Sequence, residues 1–526
     1  MHPNGESQSN SRVAPYASSP VVIQDSEYCR LIRRFPPSAL LPGIAAAAAH
    51  FGQPGDVHRW LGSPGRKYTP WALADAARVS LVNGNEHRNR QPRDQDLFEI
   101  LNAYSQLDDP YRRSKNLAQD RLGFLLRMAG QQLIWQESDR NDLARTAAMF
   151  LHTTAAKPMQ CLNEGWDTAV FGCSLTDYVG ITQLVWSIAL DQRGWFNPGL
   201  LPTAEQAAAD PMLALMPGAY VGRERMMEVI DSQFAASAAW LRAEDERVNG
   251  KARRSPGYDR QLRRYEYNPL RARPLVTGLG PWYLCPSPAL LWERATPWGI
   301  MLAGRAEFGN TFPPDVGHLF EQYIGRQLRL LPDATVRGEI RYRGPGGMCD
   351  SADWIVVFDD LILIVEAKSI LPTQPMRMGD LDTIADVVDK LAKAHRQIDA
   401  TAELIRNGQS EFATIPNDRP ILGMAATLQP FHIANSSDHR QLMPTTTVPV
   451  TVISAAEIET LVALDVPSVS RFLMDLTADD ERSTWAVSTV MAKLPQRSNP
   501  ILDQGWESYP WSSSLATEAE LGAEAE

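Results

Sequence analysis

A chain of 526 residues that is 44% hydrophobic and 21% charged carries apolar material for more than one core, so two or three domains are expected. Its formal net charge is −11, from 51 basic and 62 acidic side chains, which excludes a uniformly basic nucleic-acid-binding surface and leaves only local patches. No run of about 18 apolar residues occurs, and the Ser-rich stretch 1–20 lacks a basic region followed by an apolar core, so neither a membrane span nor a secretory signal is read.

Residues 1–25 read as a disordered N-terminus and 26–265 as a mainly helical region, with helical patterns at 71–82, 96–107, 117–135 and 223–242 between proline breaks and no repeat. Gly62-Ser-Pro-Gly-Arg-Lys-Tyr lacks the spacing of a P-loop, and Thr277-Gly-Leu-Gly-Pro is no dinucleotide fingerprint. The segment 251–273 is different. It holds Lys251, Arg253, Arg254, Arg260, Arg263, Arg264, Arg271 and Arg273 against Asp259 and Glu266, with Tyr258, Tyr265 and Tyr267 interleaved. Arg260, Arg263 and Arg264 are therefore candidate phosphate contacts and the tyrosines candidate stacking platforms, while a basic linker or a domain-contact helix reads equally well. Residues 266–309, punctuated by Pro269, Pro274, Pro286 and Pro288, suggest a small β-containing connector. Five scattered cysteines (Cys29, Cys161, Cys173, Cys285, Cys349) show no CxxC pairing, which points to reduced thiols and a cytoplasmic protein.

Residues 310–475 form the most regular part. Val316, Leu319, Phe320, Tyr323, Ile324 and Leu328 recur at helical spacing after the start signal Pro313-Pro314-Asp315. Two apolar runs, 354–358 and 361–365, then flank Asp359-Asp360, which predicts an antiparallel hairpin with a tight turn. Pairing about that turn sets Phe358 opposite Leu361, Val356 opposite Leu363 and Asp353 opposite Glu366. Lys368, two residues beyond Glu366, shares its face. Directly opposed like charges destabilise a sheet unless something neutralises them. Paired carboxylates are hard oxygen donors, so Mg²⁺ or Mn²⁺ is the expected cofactor, with Lys368 placed to orient water or steady an anionic transition state.

A Pro- and Met-containing connection at 371–380 precedes a long amphipathic helix at 384–406. Strand-like runs follow at 421–427 and 448–454, then a helix at 455–461 for which Ser454 suits the N-cap. Strands separated by a long helix imply a parallel crossover, so the fold class is α/β with a mixed sheet. Residues 476–526 read as a C-terminal extension whose Ala- and Glu-rich end, 515–526, is a disordered acidic tail.

Asp353, followed on the next strand by Glu366-Ala-Lys368, resembles the PD-(D/E)XK nuclease superfamily, whose members carry an Asp before one core strand and Glu/Asp-x-Lys on the next. Ala352 stands where the proline of that name would be. The resemblance covers roughly 310–460 and implies a restriction-endonuclease-like core that cleaves DNA, or less often RNA, with Mg²⁺. It also implies catalytic Asp353, Glu366 and Lys368, metal held by Asp353 and Glu366 with Glu321 of the preceding helix as a further ligand, and nucleic-acid contact from Gln397 and Lys393 of the long helix. Glu321 reads equally as a solvated surface residue, and Lys390, Lys393, His395 and Arg396 as the wet face of their helix. Restriction, host defence and DNA repair are all open roles. Two other classes stay open: a non-catalytic nucleic-acid-binding or sensing protein, and an adaptor or homo-oligomer that uses its helical half to meet a protein partner.

Overall fold

The computed structural model describes residues 22–51, 69–109, 124–125, 127–128, 140–344, 346–369, 381–431 and 433–513, without the side chains of 214 and 381–387. The helical pattern at 117–135, the 371–380 connection and the acidic tail lie wholly or mostly outside the described residues. The chain is mixed α/β, with helices dominating the N-terminal half and a mixed sheet in the C-terminal half. None of the described helices is long and apolar enough to cross a membrane.

The N-terminal helices include α1 (Asp25–Ile32), α2 (Pro37–Ala49), α3 (Pro70–Asn83), α4 (Asp94–Ser105), α5 (Arg140–Phe150), α6 (Leu175–Asp191) and α7 (Ala238–Arg253). Thr69 caps α3 through Ala72 N–H, with Pro70 at the first helical position, where its missing N–H costs nothing. α1 to α4 enclose their own apolar core, which also takes in Leu241, Leu270, Val276 and Leu290.

Strands in this half are short: β1 (Trp195–Phe196), β2 (Ala235–Ser237), β3 (Leu275–Thr277) and β4 (Tyr283–Leu284), in the order β1-β4-β3-β2. Only two of them fall inside the connector read from sequence, and 288–293 and 297–308 are helical. Runs of two or three residues are too short to carry a period-2 pattern, so the sheet's other half was invisible upstream.

The basic segment also folds differently from a nucleic-acid face. The 3₁₀ turn Arg260–Tyr265 carries Arg263 into the interior, where its guanidinium meets Asp25 at 2.6 Å and Asp75 at 2.9 Å. Arg264 reaches Asp109 at 3.1 Å, as does the Tyr265 hydroxyl at 2.8 Å. Arg260 is exposed but donates to Asp25 at 3.2 Å. Arg263 and Arg264 are therefore buried ion-pair residues rather than phosphate ligands, because the carboxylates that claim them come from α1, α3 and the end of the 69–109 segment.

In the C-terminal half, α8 (Phe312–Leu328) precedes a five-stranded sheet of β5 (Thr335–Gly338), β8 (Trp354–Val357), β9 (Ile362–Lys368), β10 (Ile421–Thr427) and β11 (Val450–Ser454), ordered β11-β10-β9-β8-β5. A separate ribbon, β6 (Arg341–Gly344) with β7 (Gly347–Asp350), leads into β8. β5, β8 and β9 are antiparallel neighbours, whereas β9, β10 and β11 run parallel, with crossover helix α9 (Leu381–Arg406) between β9 and β10.

Both faces of the sheet are covered, which is why its strands read as almost unbroken apolar runs. Trp354, Val356, Leu363, Val365, Met424 and Ala426 face α8 and α10 (Ala455–Val462), whose N-cap is Ser454 with Glu457 closing a capping box. Ile355, Ile362, Ile364 and Ala425 face Leu391, Ala394, Ile398 and Ala402 of α9.

The C-terminal region is part of this body. α11 (Pro500–Glu507) packs on α5, and Trp506, Tyr509 and Trp511 enter the same core as α6, α8 and one face of the sheet. The same core runs across residue 310, from Leu143 through Phe312 to Val365. α8 presses close to the sheet at Gly325, where an added Cβ would lie 2.1 Å from the Trp354 ring. Gly325→Ala is expected to destabilise the fold by about 1–3 kcal/mol through overpacking, read as a lower midpoint of urea unfolding. An unchanged midpoint would show that α8 can simply shift away.

Candidate active site

The hairpin closes with Phe358 N–H donating to Leu361 O at 2.9 Å, and its ladder pairs Val357 with Ile362, Val356 with Leu363 and Trp354 with Val365. One step further, where β8 has not yet begun, Asp353 stands opposite Glu366. Two hydrogen bonds replace the missing ladder there. Ala367 N–H donates to Asp353 Oδ2 at 2.7 Å, and Asp353 N–H donates to Glu366 Oε2 at 3.3 Å. Each carboxylate is thus held by the backbone next to the other, and neither can swing away without leaving a buried N–H without a partner.

Lys368 extends from the same face of β9, and its ammonium contacts Glu366 Oε1. Glu366 is 1% exposed, while about a quarter of the Lys368 side chain reaches solvent. On the other flank of β9, Glu366 and Lys368 lie beside Ala425 and Thr427 of β10.

Electrostatics mark the pair as short of positive charge. Burial, then the facing Glu366, pushes the Asp353 carboxyl up to about 8, opposed mainly by the Ala367 N–H. Burial also raises Glu366, with Lys368 acting against it. Two carboxyls in these surroundings retain a proton near neutral pH unless a cation takes its place.

Further acids approach from α8 and from the segment before β6. Glu321 raises both members of the pair through its charge, and its backbone carbonyl accepts from the Trp354 indole N–H at 2.9 Å. Its carboxylate accepts from Gln322 at 3.0 Å. Glu339, which sequence reasoning did not single out, is itself raised by burial, by Asp350 and by Glu321. Among the described residues, however, no three Asp, Glu, His or Cys side chains close into a group that could hold one ion. Asp353 and Glu366 are the donors that come together, and Glu321 acts on them at longer range.

The long helix contributes an anchor that the sequence did not flag. Thr401 is buried among the apolar residues of α9; its hydroxyl accepts from Ala352 N–H at 2.9 Å and donates to Gln397 O at 2.8 Å. It ties the residue before Asp353 to the helix. A hydroxyl inside the stripe Ile398, Ala402, Ile405 was the available signal. Gln397 lies one turn earlier, and its buried Oε1 has no hydrogen-bond partner among the described residues. Lys393 is exposed, and Arg260, Arg263 and Arg264 belong to the ion-pair cluster of the N-terminal half.

Scanned against protein-family models, curated proteins and solved structures, the chain matches none of them.

Proposed function

We propose that the protein is a metal-dependent nuclease, with DNA as the substrate, of the PD-(D/E)XK type that its hairpin resembles. The observation that carries this reading is the reciprocal placement of Asp353 and Glu366, with Lys368 against Glu366, at the end of strands that are otherwise apolar. A purely structural ion pair would need one carboxylate for one lysine. The second carboxylate, raised to about 8, is a standing cost to the fold that a divalent cation removes.

Asp353 and Glu366 would hold Mg²⁺ or Mn²⁺, since both offer hard oxygen donors and a cation would favour the ionised forms that burial opposes. When bound, such an ion lowers the pKa of water and offsets charge on a phosphodiester. Lys368, partly exposed and positively charged, is placed to orient the attacking water and to steady the additional negative charge of the transition state. Gln397 and Lys393 of α9 remain the proposed contacts to nucleic acid near the pair. Five free cysteines fit a cytoplasmic setting.

The deciding experiment is strand cleavage on plasmid, linear duplex, single-stranded DNA and RNA with Mg²⁺, Mn²⁺ or EDTA. Lys368→Ala is expected to slow cleavage by about 10²–10³-fold, the usual loss when one group facing developing charge is removed. Cleavage unchanged in Lys368→Ala would defeat the reading. Nucleic-acid binding with no cleavage on any substrate would favour a sensing protein built on the same fold.

Proton linkage supplies a second test of cation binding. Asp353 is raised from 3.8 to about 8 in the folded chain, which therefore holds a proton that the unfolded chain releases above 3.8. The contribution of this group to stability is intact below 3.8 and is lost as pH rises towards about 8. In EDTA the melting temperature is expected to fall across that window relative to Asp353→Asn, and Mg²⁺ is expected to raise it more at pH 8 than at pH 5. An equal Mg²⁺ effect at both values would separate cation binding from this pair.

A further inference from the structure

A second polar cavity lies at the β11 edge of the same sheet. It has a volume of about 220 Å³, and its walls include His395 of α9, Thr451 of β11, Arg440, Thr446, Thr477 and Ser483. Among the described residues, no Asp or Glu lines it.

Arg440 is half-buried, and among the described residues its guanidinium donates to Ser483, at 3.3 Å to Oγ and 2.6 Å to the carbonyl. Burial holds its guanidinium below the usual value, and among the described residues no carboxylate opposes the effect. A guanidinium drawn out of water without a counter-charge is costly, so the cavity favours an anion.

His395 narrows the choice of anion. It is 6% exposed, and its Nδ1 lies 2.8 Å from Leu391 O. A carbonyl oxygen only accepts, so Nδ1 carries the proton and Nε2 keeps a lone pair in the neutral ring. Burial lowers the pKa of this imidazole against the opposing hydrogen bond to Leu391, with Arg440 adding to the lowering, which favours the neutral ring. The site therefore pairs a cationic donor with a neutral acceptor. Sulfate, a carboxylate or a phosphodiester satisfies the first and has no proton for the second. A phosphomonoester, whose second pKa is about 6, presents oxyanion oxygens and an acidic O–H together.

We propose that this cavity binds the terminal phosphate of a phosphomonoester, either a free mononucleotide or the phosphorylated end of a nucleic-acid strand. Arg440 supplies the charge, His395 Nε2 accepts the ligand O–H, and the Thr451 hydroxyl adds a donor. The volume is below the roughly 300–1,000 Å³ of whole-ligand pockets, so the phosphate and part of a sugar enter while the remainder stays outside.

The test is calorimetric titration of the full chain in EDTA near pH 6.5, on an Asp353→Asn background so that the carboxylate pair contributes no metal-bridged binding. Probes are inorganic phosphate, adenosine 5′-monophosphate, adenosine, sulfate, and one oligonucleotide with and without a 5′-phosphate. Phosphate and the monophosphate are expected to bind, adenosine to give no heat, and sulfate to bind at least tenfold more weakly. Arg440→Gln should weaken phosphate binding by about tenfold to a hundredfold, the loss of one charged hydrogen-bond partner.

Because Arg440 also braces Ser483, the isosteric Thr451→Val serves as a second variant, with a few-fold loss expected. A preference for the phosphorylated oligonucleotide over the monophosphate assigns the cavity to strand ends, and the reverse assigns it to free nucleotide. The proposal is overturned if neither phosphate nor the monophosphate binds, if sulfate binds as well as phosphate, or if both variants fold and bind unchanged. None of these results depends on whether the carboxylate pair cuts nucleic acid.

Discussion

Asp353→Asn is expected to abolish metal-dependent cleavage and, at pH 8 in EDTA, to make the protein more stable than the parent. The two effects have one cause. Asn keeps an oxygen for the Ala367 N–H at the position where Asp353 Oδ2 accepts it at 2.7 Å, so the hairpin end retains its hydrogen bond. It removes the charge that burial and Glu366 both oppose. On the proposed reading, what disappears is the second anionic donor for a divalent ion, and with it the cleavage. A site tuned for binding a cation is strained without one, and neutralising it trades activity for stability. Cleavage should drop by at least about 10²-fold, with the melting temperature in EDTA rising at pH 8 and unchanged below pH 4. A variant that loses activity and stability together would mean that Asp353 is a structural residue, and the nuclease reading would lose its main support.

The second large effect is expected far from the hairpin. Arg263→Ala should destabilise the protein by about 3–5 kcal/mol, the range for removing one partner from a buried ion pair. Arg263 holds Asp25 at 2.6 Å and Asp75 at 2.9 Å, and all three side chains are less than a tenth exposed. Asp75 also pairs with Arg78 at 2.7 Å, whereas Asp25 is left, among the described residues, with the exposed Arg260 and the Cys29 thiol. Arg254, which is exposed and contacts the equally exposed Glu246, is the matched control, and Arg254→Ala should change stability by less than about 1 kcal/mol. Urea unfolding of both variants distinguishes the roles. Weakened nucleic-acid binding with full stability in Arg263→Ala would restore the segment as a phosphate surface.

These two residues show what the sequence discloses and what it withholds. The hairpin was legible because two apolar runs and a two-residue break determine register by counting, and the side-chain period of two then places Asp353 against Glu366 and Lys368 beside it. The helix before the hairpin and the crossover after it were legible by their 3.6-residue stripes, α8 and α9. Arg263 was not, because its partners are 188 and 238 residues away and a run of arginines looks the same whether water or aspartate surrounds it. Trp506, Tyr509 and Trp511 were read as part of an extension for a similar reason. Their burial depends on α5 and α6, with the Trp511 indole N–H donating to Gln183 at 2.8 Å, and no local pattern announces a partner 328 residues upstream. Thr401 was missed because it acts through Ala352, a neighbour that only the fold supplies, and the surroundings that raise Glu339 are likewise set by the fold.

The turn at Asp359-Asp360 acquires a constraint from this geometry. Either aspartate can change identity at little cost, since both are exposed and the closing bond runs between the backbones of Phe358 and Leu361. Its length is another matter. Inserting or deleting one residue there would slip the strands by one position, turn the 362–368 run over relative to 354–357, and send Glu366 to the α8 side while Asp353 stayed on the α9 side. Chains that keep the carboxylate pair can therefore differ freely in the letters of this turn, but not in their number.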